Sequence, residues 1–220
     1  EKLSWFVKRT WSVVEPGSPL EWGPHLDILC DALDRQMAGD PAYQRLALFV
    51  PPGTMKSLLV SVFAPAKEWI KDPERRKLCL ANDDELVKRD SRRTRHIIES
   101  DVYQRLLARA EQDLGLPAWS LANDQNEKTN FENSRRGFRQ CRSIRGKVTG
   151  KRADDILEDD LLDAKEVVLG APDAIARRVA EVNIIRSQVL PSRVNDHRTA
   201  RRTYVGQRLH QNDPGAACIA

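Results

Sequence analysis

The residues best placed to do chemistry are Lys56 and Ser57. They follow the apolar run Leu46-Ala47-Leu48-Phe49-Val50 and the loop Pro51-Pro52-Gly53-Thr54-Met55. A strand feeding a short loop, with Lys-Ser opening a helix, is the arrangement that phosphate groups require. Backbone N–H groups and the helix N-terminus supply positive potential, the ammonium reaches the β- and γ-phosphates of a nucleotide, and the hydroxyl coordinates Mg²⁺. The match to GxxxxGK[ST] is incomplete, because Val50 and Met55 stand where that pattern has glycine. An ordinary strand-loop-helix connection stays open as the alternative.

A nucleotide site needs a second half, an apolar strand that ends in acids. Asp154-Asp155-Ile156-Leu157-Glu158-Asp159-Asp160 offers one, about 100 residues downstream. A carboxylate at the strand end can hold Mg²⁺ through water, and a neighbouring one can orient or deprotonate an attacking water. Six acids lie between Asp154 and Asp163, so a solvated acidic turn is the competing reading.

The surrounding pattern alternates strand and helix. Trp22 to Met37 is expected to be an amphipathic helix with Leu26, Leu29, Cys30 and Leu33 on one face. Arg45 to Val50 is expected to be a buried strand, broken at Pro51-Pro52-Gly53, with a helix from Lys56 to Ile70. Lys77 to Ala81 predicts a second buried strand. Asn82 or Asp83 then caps a charged helix through Ser100, and helix continues from Val102 to Leu114. A hairpin is expected from Lys128 to Ile144, strands at Asp155 to Glu158 and Arg202 to Gly206, and a helix from Pro172 to Val189. Helical crossovers between short buried strands imply a mainly parallel α/β sheet in one domain.

Composition narrows the classes. The chain has 220 residues, 40% hydrophobic and 31% charged, which suits one globular domain and argues against disorder. No apolar stretch approaches the roughly 18 residues of a membrane span, and no signal peptide opens the chain. The chain begins at Glu1 rather than Met, which points to a trimmed chain. Cys30, Cys79, Cys141 and Cys218 are far apart, with no CxxC pair, so reduced and partly buried thiols are expected rather than a disulfide frame or a zinc site. The four histidines form no metal-ligand pattern. The net charge of +4 is unevenly spread: between Ser134 and Ala153 there are eight basic residues and no acid, which suggests an anionic partner.

With both motifs placed, the sequence resembles the large terminase subunit of tailed phages across nearly its whole length. The resemblance rests on Pro51-Pro52-Gly53-Thr54-Met55-Lys56-Ser57, on the helix Glu85 to Tyr103, on Ser143-Ile144-Arg145-Gly146-Lys147-Val148-Thr149-Gly150 leading into the acidic strand, and on Val205-Gly206-Gln207-Arg208-Leu209-His210-Gln211-Asn212-Asp213. It implies a P-loop NTPase of the ASCE/RecA-like kind, with a mainly parallel central sheet flanked by helices. The whole chain, 1–220, would be the ATPase domain, hydrolysing ATP with Mg²⁺ to move double-stranded DNA into a procapsid. The implied surroundings are a homo-oligomeric ring with portal protein and small terminase subunit, in the host cell cytoplasm, with no membrane. Gly53, Thr54, Met55, Lys56, Ser57 and Leu58 would form the phosphate cradle, with Ser57 and Asp159 supporting the metal. Asp160 would act on the attacking water, Glu158 being the alternative base, and Gln207 would sense the γ-phosphate. Trp22 and His25 lie where similar ATPases recognise adenine, or they simply pack.

Two departures from the family stand out. Gly53 occupies a loop position where many relatives carry arginine, which shifts the charge-neutralising role towards a trans arginine, with Arg145 and Arg152 as candidates. Only seven residues follow Asp213, so no nuclease half is expected and no DNA cleavage. DNA contact would be made through phosphates by the hairpin around Arg135 to Arg145, whereas the helix bearing Lys88, Arg89, Arg92, Arg93 and Arg95 is better read as a solvated face. The rival readings are another P-loop DNA-dependent ATPase and a DNA-binding module with a degenerate nucleotide site.

Overall fold

Short runs of branched and apolar residues become strands when helices can cover both their faces, and this chain follows that rule. The computed structural model describes residues 1–122, 130–146 and 152–219. Helices α1 (Leu3–Val14) and α2 (Pro24–Met37) precede strand β1 (Arg45–Phe49). One helical rod follows the loop, made of α3 (Lys56–Leu58), a π-turn over Leu59–Phe63, and α4 (Ala64–Lys71). Strand β2 (Lys77–Ala81) leads to α5 (Asp84–Glu99) and α6 (Asp101–Leu114), then to β3 (Phe131–Glu132) and β4 (Phe138–Ser143). After β5 (Asp155–Asp159) come α7 (Ala164–Leu169) and α8 (Pro172–Ile184), which runs on as a π-turn to Val189. Strand β6 (Arg201–Gly206) and α9 (Ala216–Ile219) complete the order. Among the described residues, no helix is long and apolar enough to cross a membrane.

The six strands form one sheet in the order β1-β6-β5-β2-β4-β3, parallel throughout except for the β3–β4 hairpin. Alternation along the strands sorts their side chains onto two faces. Cys79, Cys141, Leu157 and Val205 meet α1, α2, α4 and α5 in the larger core. Leu78, Leu80, Ile156 and Tyr204 meet the segment containing α8 in the smaller one. Thus the chain leaves β1 over one face and leaves β5 over the other.

Local signals account for the helix ends. Asp83 caps α5 by accepting from the Glu85 N–H at 3.1 Å, Ser100 caps α6, and Gly115 ends α6 in the left-handed region at φ 63°. Helix α1 was not anticipated: its Val, Thr and Trp residues give weak helix propensity and its N-cap makes no side-chain bond, so burial of Leu3, Phe6 and Val7 decides its form. Strand β1 was expected to be buried but is half exposed, because it lies at the sheet edge.

At the N-terminal ends of the central strands the sheet buries charge. Asp155 accepts from Arg201 Nε at 2.8 Å, Lys77 Nζ at 2.8 Å and Arg75 Nη2 at 2.9 Å, while Glu68 pairs with both Lys77 and Arg201. Burial would raise the Asp155 carboxyl, but Lys77, Arg201 and Arg75 outweigh it and hold it far below the carboxylate range. Removing one member of such a network leaves its partners buried and uncompensated. Asp155→Asn is therefore expected to cost about 3–5 kcal/mol of unfolding free energy, read from the urea midpoint at pH 7. A change below about 1 kcal/mol would show that the network is not holding these strand ends together.

Candidate functional site

Strands β1 and β5 do not touch; β6 lies between them and pairs with both. At about 4.8 Å per strand, their C-terminal ends stand about 10 Å apart, with a crevice above β6. The loop leaving β1 reaches over this gap. Lys56 Nζ donates to Asp160 Oδ1 at 2.9 Å and Ser57 Oγ donates to Asp159 Oδ1 at 2.9 Å. Two motifs separated by about 100 residues thus meet through paired contacts.

Loop geometry explains how the segment works with few glycines. Gly53 (φ 78°) and Met55 (φ 59°) both adopt left-handed backbone. Met55 stands where the phosphate-loop pattern has glycine, and it takes the conformation for which glycine is favoured, at about 1–2 kcal/mol for a residue with a Cβ. The surroundings hold it there: Thr54 Oγ1 donates to the Pro51 carbonyl at 2.7 Å, the Leu59 N–H donates to the Met55 carbonyl at 3.0 Å, and Met55 and Leu58 pack on the larger core. Lys56 is buried, so its charge needs the partner it has in Asp160.

The pleat of β5 sorts its acids. Asp159 faces the helical rod and accepts a second bond from Ser61 Oγ at 3.0 Å. Ser61 sits in the π-turn and was missed by sequence reasoning; a hydroxyl within the apolar run Leu58 to Ala64 was the available signal. Asp160 follows the strand at φ 41°, with its N–H bonded to the Val205 carbonyl at 2.9 Å. Glu158 points to the opposite face. It is fully buried against Arg186 and Arg202 and has no path to the crevice, which corrects its reading as an alternative base.

The other expected residues divide. Gln207 directly follows β6 and is half-buried at the crevice end of that strand. Helix α2 carries its C-terminus to the N-terminal ends of β1 and β6, through Gln36 to the Tyr43 carbonyl and Thr203, so Trp22 and His25 lie towards the loop end of the sheet. There the Trp22 indole donates to Asp27 at 3.1 Å and lies under Lys8, while His25 is exposed. Arg145, at the C-terminal end of β4, is engaged by Glu166 and by Asn82 Oδ1 at 3.2 Å, away from the Lys56–Asp160 contact. Arg152 is exposed beside Ala153, at the end of β5 remote from Asp159, so it cannot serve this crevice in cis. The rest of that loop, residues 147–151, lies outside the described residues. Arg89 on α5, read from sequence as surface, is bonded to Asp90 at 2.8 Å.

The basic run is also divided. Arg139 is buried, whereas Arg135 and Arg136 pair with Glu74 and Glu132 at 2.9 and 3.7 Å. With Arg145 held by Glu166, this is a less one-sided surface than the sequence suggested. On α5, Lys88 pairs with Glu85 and Arg95 with Glu99, as a solvated face does.

Among the described residues, no group of three or more His, Cys, Asp or Glu side chains could hold a metal. Mg²⁺ does not require such a cage, since it binds through one or two carboxylates together with substrate phosphates and water. Ser57 and Asp159 suit that mode. Burial first, then the adjacent Asp160 charge, push the Asp159 carboxyl up to about 7, so the site is short of positive charge. Its folded-state value lies above the unfolded one, so the stability it contributes is fully present below about pH 4 and is lost as the pH rises through about 7. Asp159→Asn should therefore be more stable than the parent at pH 8, by an amount on the order of a few kcal/mol that shrinks towards pH 5. Equal differences in urea midpoint at both pH values would contradict that environment for Asp159.

No protein-family model matches the chain, and no curated protein matches it. The fold is similar to the crystal structure of the HK97 bacteriophage large terminase, with a TM-score of 0.59 at 14% sequence identity. The match covers 99% of this chain and 40% of that one, so the chain spans well under half of the terminase. The six-stranded, mostly parallel sheet flanked by helices is a terminase-like fold.

Proposed function

We propose that the chain is a Mg²⁺-dependent ATPase domain of the large-terminase type, coupling ATP hydrolysis to movement of double-stranded DNA. The observation that carries this reading is the double contact of Lys56–Ser57 with Asp160–Asp159 across an intervening strand. It joins a cation, a hydroxyl and two carboxylates at the C-terminal ends of parallel strands, where α/β proteins bind ligands. The terminase-like fold supports it, as does the strand order, in which β6 separates the loop strand from the acidic strand as in ASCE/RecA-like P-loop NTPases.

In this reading Lys56 exchanges Asp160 for the β- and γ-phosphates, and the N–H groups from Gly53 to Leu58 hold the phosphate oxygens. Mg²⁺ would be held at Ser57 and Asp159, neutralising phosphate charge as it builds. Release from Lys56 frees the Asp160 carboxylate to orient the attacking water and accept its proton. Gln207, at the end of the strand between the two motifs, is placed to register loss of the γ-phosphate. Charge at the transferring phosphoryl group would be neutralised by a trans arginine from a neighbouring subunit, with Arg145 and Arg152 as the candidates. DNA would be gripped through its phosphates, with portal protein and small terminase subunit as further partners. The competing DNA-binding module with a dead nucleotide site draws on the glycine substitutions at Val50 and Met55. The left-handed backbone at Met55 weakens it, because the glycine conformation is retained.

Phosphate release with double-stranded DNA at high protein concentration tests the assignment. Asp160→Asn should lower turnover by about 10²–10⁴-fold while nucleotide binding persists, the size expected for loss of a water-activating group. Unchanged turnover in Asp160→Asn would remove its assigned role.

A further inference from the structure

Two of the three buried cysteines lie side by side. Strands β2 and β4 run parallel with Cys79 opposite Cys141, so both side chains leave the sheet on the same face. Cα atoms of in-register neighbours stand about 4.8 Å apart, inside the span of roughly 4.4–6.8 Å over which a disulfide closes. Both residues are buried in the larger core.

A cation without an oxygen partner lies beside them. Arg139, two residues before Cys141 on the same face, is 1% exposed, and among the described residues none of its guanidinium nitrogens has a hydrogen-bond partner. A guanidinium cannot shed its charge by deprotonation, so burial in this form demands negative charge nearby. The groups whose charges face it are Cys79, Cys141 and Asp90 of α5. Asp90 is already bonded to Arg89 at 2.8 Å, with Arg93 at 3.9 Å. Lys77, next to Arg139 across the strands, is committed to Glu68 and Asp155. Among the described residues, a thiolate is the group left to balance Arg139. Ser91 of α5 adds a hydroxyl contact to Cys141.

The two thiols respond in opposite directions. The hydrogen bond to Cys141, then burial, push Cys79 well up; Cys141, although burial alone would raise it, is carried down by the bond from Cys79 and by Arg139. This is the pattern of a Cys79 S–H donating to a Cys141 thiolate.

We propose that Cys79, Cys141 and Arg139 form a redox-active thiol site, in which a small peroxide oxidises Cys141 and Cys79 closes the pair into a disulfide. The Cys141 thiolate attacks one peroxide oxygen and the O–O bond breaks; the departing oxygen takes a proton and leaves as water, and the sulfur becomes a sulfenic acid. Cys79 sulfur then attacks Cys141, the S–O bond breaks, and the hydroxyl leaves as water with the Cys79 proton. Two thiols and one peroxide yield one disulfide and two waters, and an external thiol reverses the change. Burial restricts the oxidant to something near the size of water. The site is independent of the nucleotide reading.

Hydrogen peroxide treatment of the whole chain, followed by unfolding, alkylation and peptide mass spectrometry, tests the proposal. The expected product is a Cys79–Cys141 linked peptide two hydrogens lighter than the dithiol, with Cys30 still alkylated. Arg139→Met should slow its formation at least about tenfold, because the thiolate loses its counter-charge. Cys79→Ser, which keeps Arg139 in place, should leave Cys141 as a sulfenic acid trapped by dimedone. Oxidation confined to the exposed Cys218, with Cys79 and Cys141 fully alkylated in the parent chain, would overturn the proposal. So would a Cys79→Ser chain with no trapped Cys141.

Discussion

The loop leaving β1 and the end of β5 are tied by Lys56 to Asp160 and Ser57 to Asp159, each at 2.9 Å, over a strand that belongs to neither. Much of the architecture serves to make that double contact possible. Insertion of β6 opens a crevice between the two strand ends, wide enough for a ligand yet spanned by a lysine side chain. The helical rod must begin at Lys56 for its first turn to face Asp159, and the left-handed Met55 sets that starting point. The buried lysine is tolerable because Asp160 of the other motif pairs with it, so its charge ties the loop to the strand end.

β5 carries this dependence through the molecule. At its start, Asp155 gathers Arg75, Lys77 and Arg201; at its end, Asp159 and Asp160 meet the loop. Glu158, on the other face, holds Arg186 and Arg202. Arg186 also donates to the Pro214 carbonyl at 2.7 Å and to Cys218 Sγ at 3.2 Å, while buried Asp213 accepts from the Leu209 and His210 N–H groups and from Arg208. The segment after Gln207 is therefore anchored to β5 from behind, by a residue that sequence reasoning had placed in the crevice.

Much of this was legible in the sequence, for identifiable reasons. Lys77–Ala81 and the strand beginning at Asp155 coincide with expectation because apolar runs bounded by polar turns admit few alternatives. Residue chemistry led to the expectation that the Lys56–Ser57 loop and the acidic strand end form two halves of one site, and Lys56 and Ser57 contact Asp160 and Asp159. One source of error is that sequence adjacency does not report which way a side chain points. Glu158 sits next to Asp159 but faces the other layer, against Arg186 and Arg202. Conversely, Cys79 and Cys141 are far apart in sequence and become neighbours only through strand register. Helix α1 was missed because tertiary burial, not local propensity, makes it helical.

Calorimetric titration of the chain with Mg·ATP, compared with Lys56→Ala, tests the nucleotide site most directly. Binding that the parent shows and Lys56→Ala loses, in a variant whose fold is verified by circular dichroism, is the predicted result. No heat of binding to the parent at millimolar ATP would contradict the nucleotide site, and binding that Lys56→Ala retained in full would place the nucleotide away from this loop.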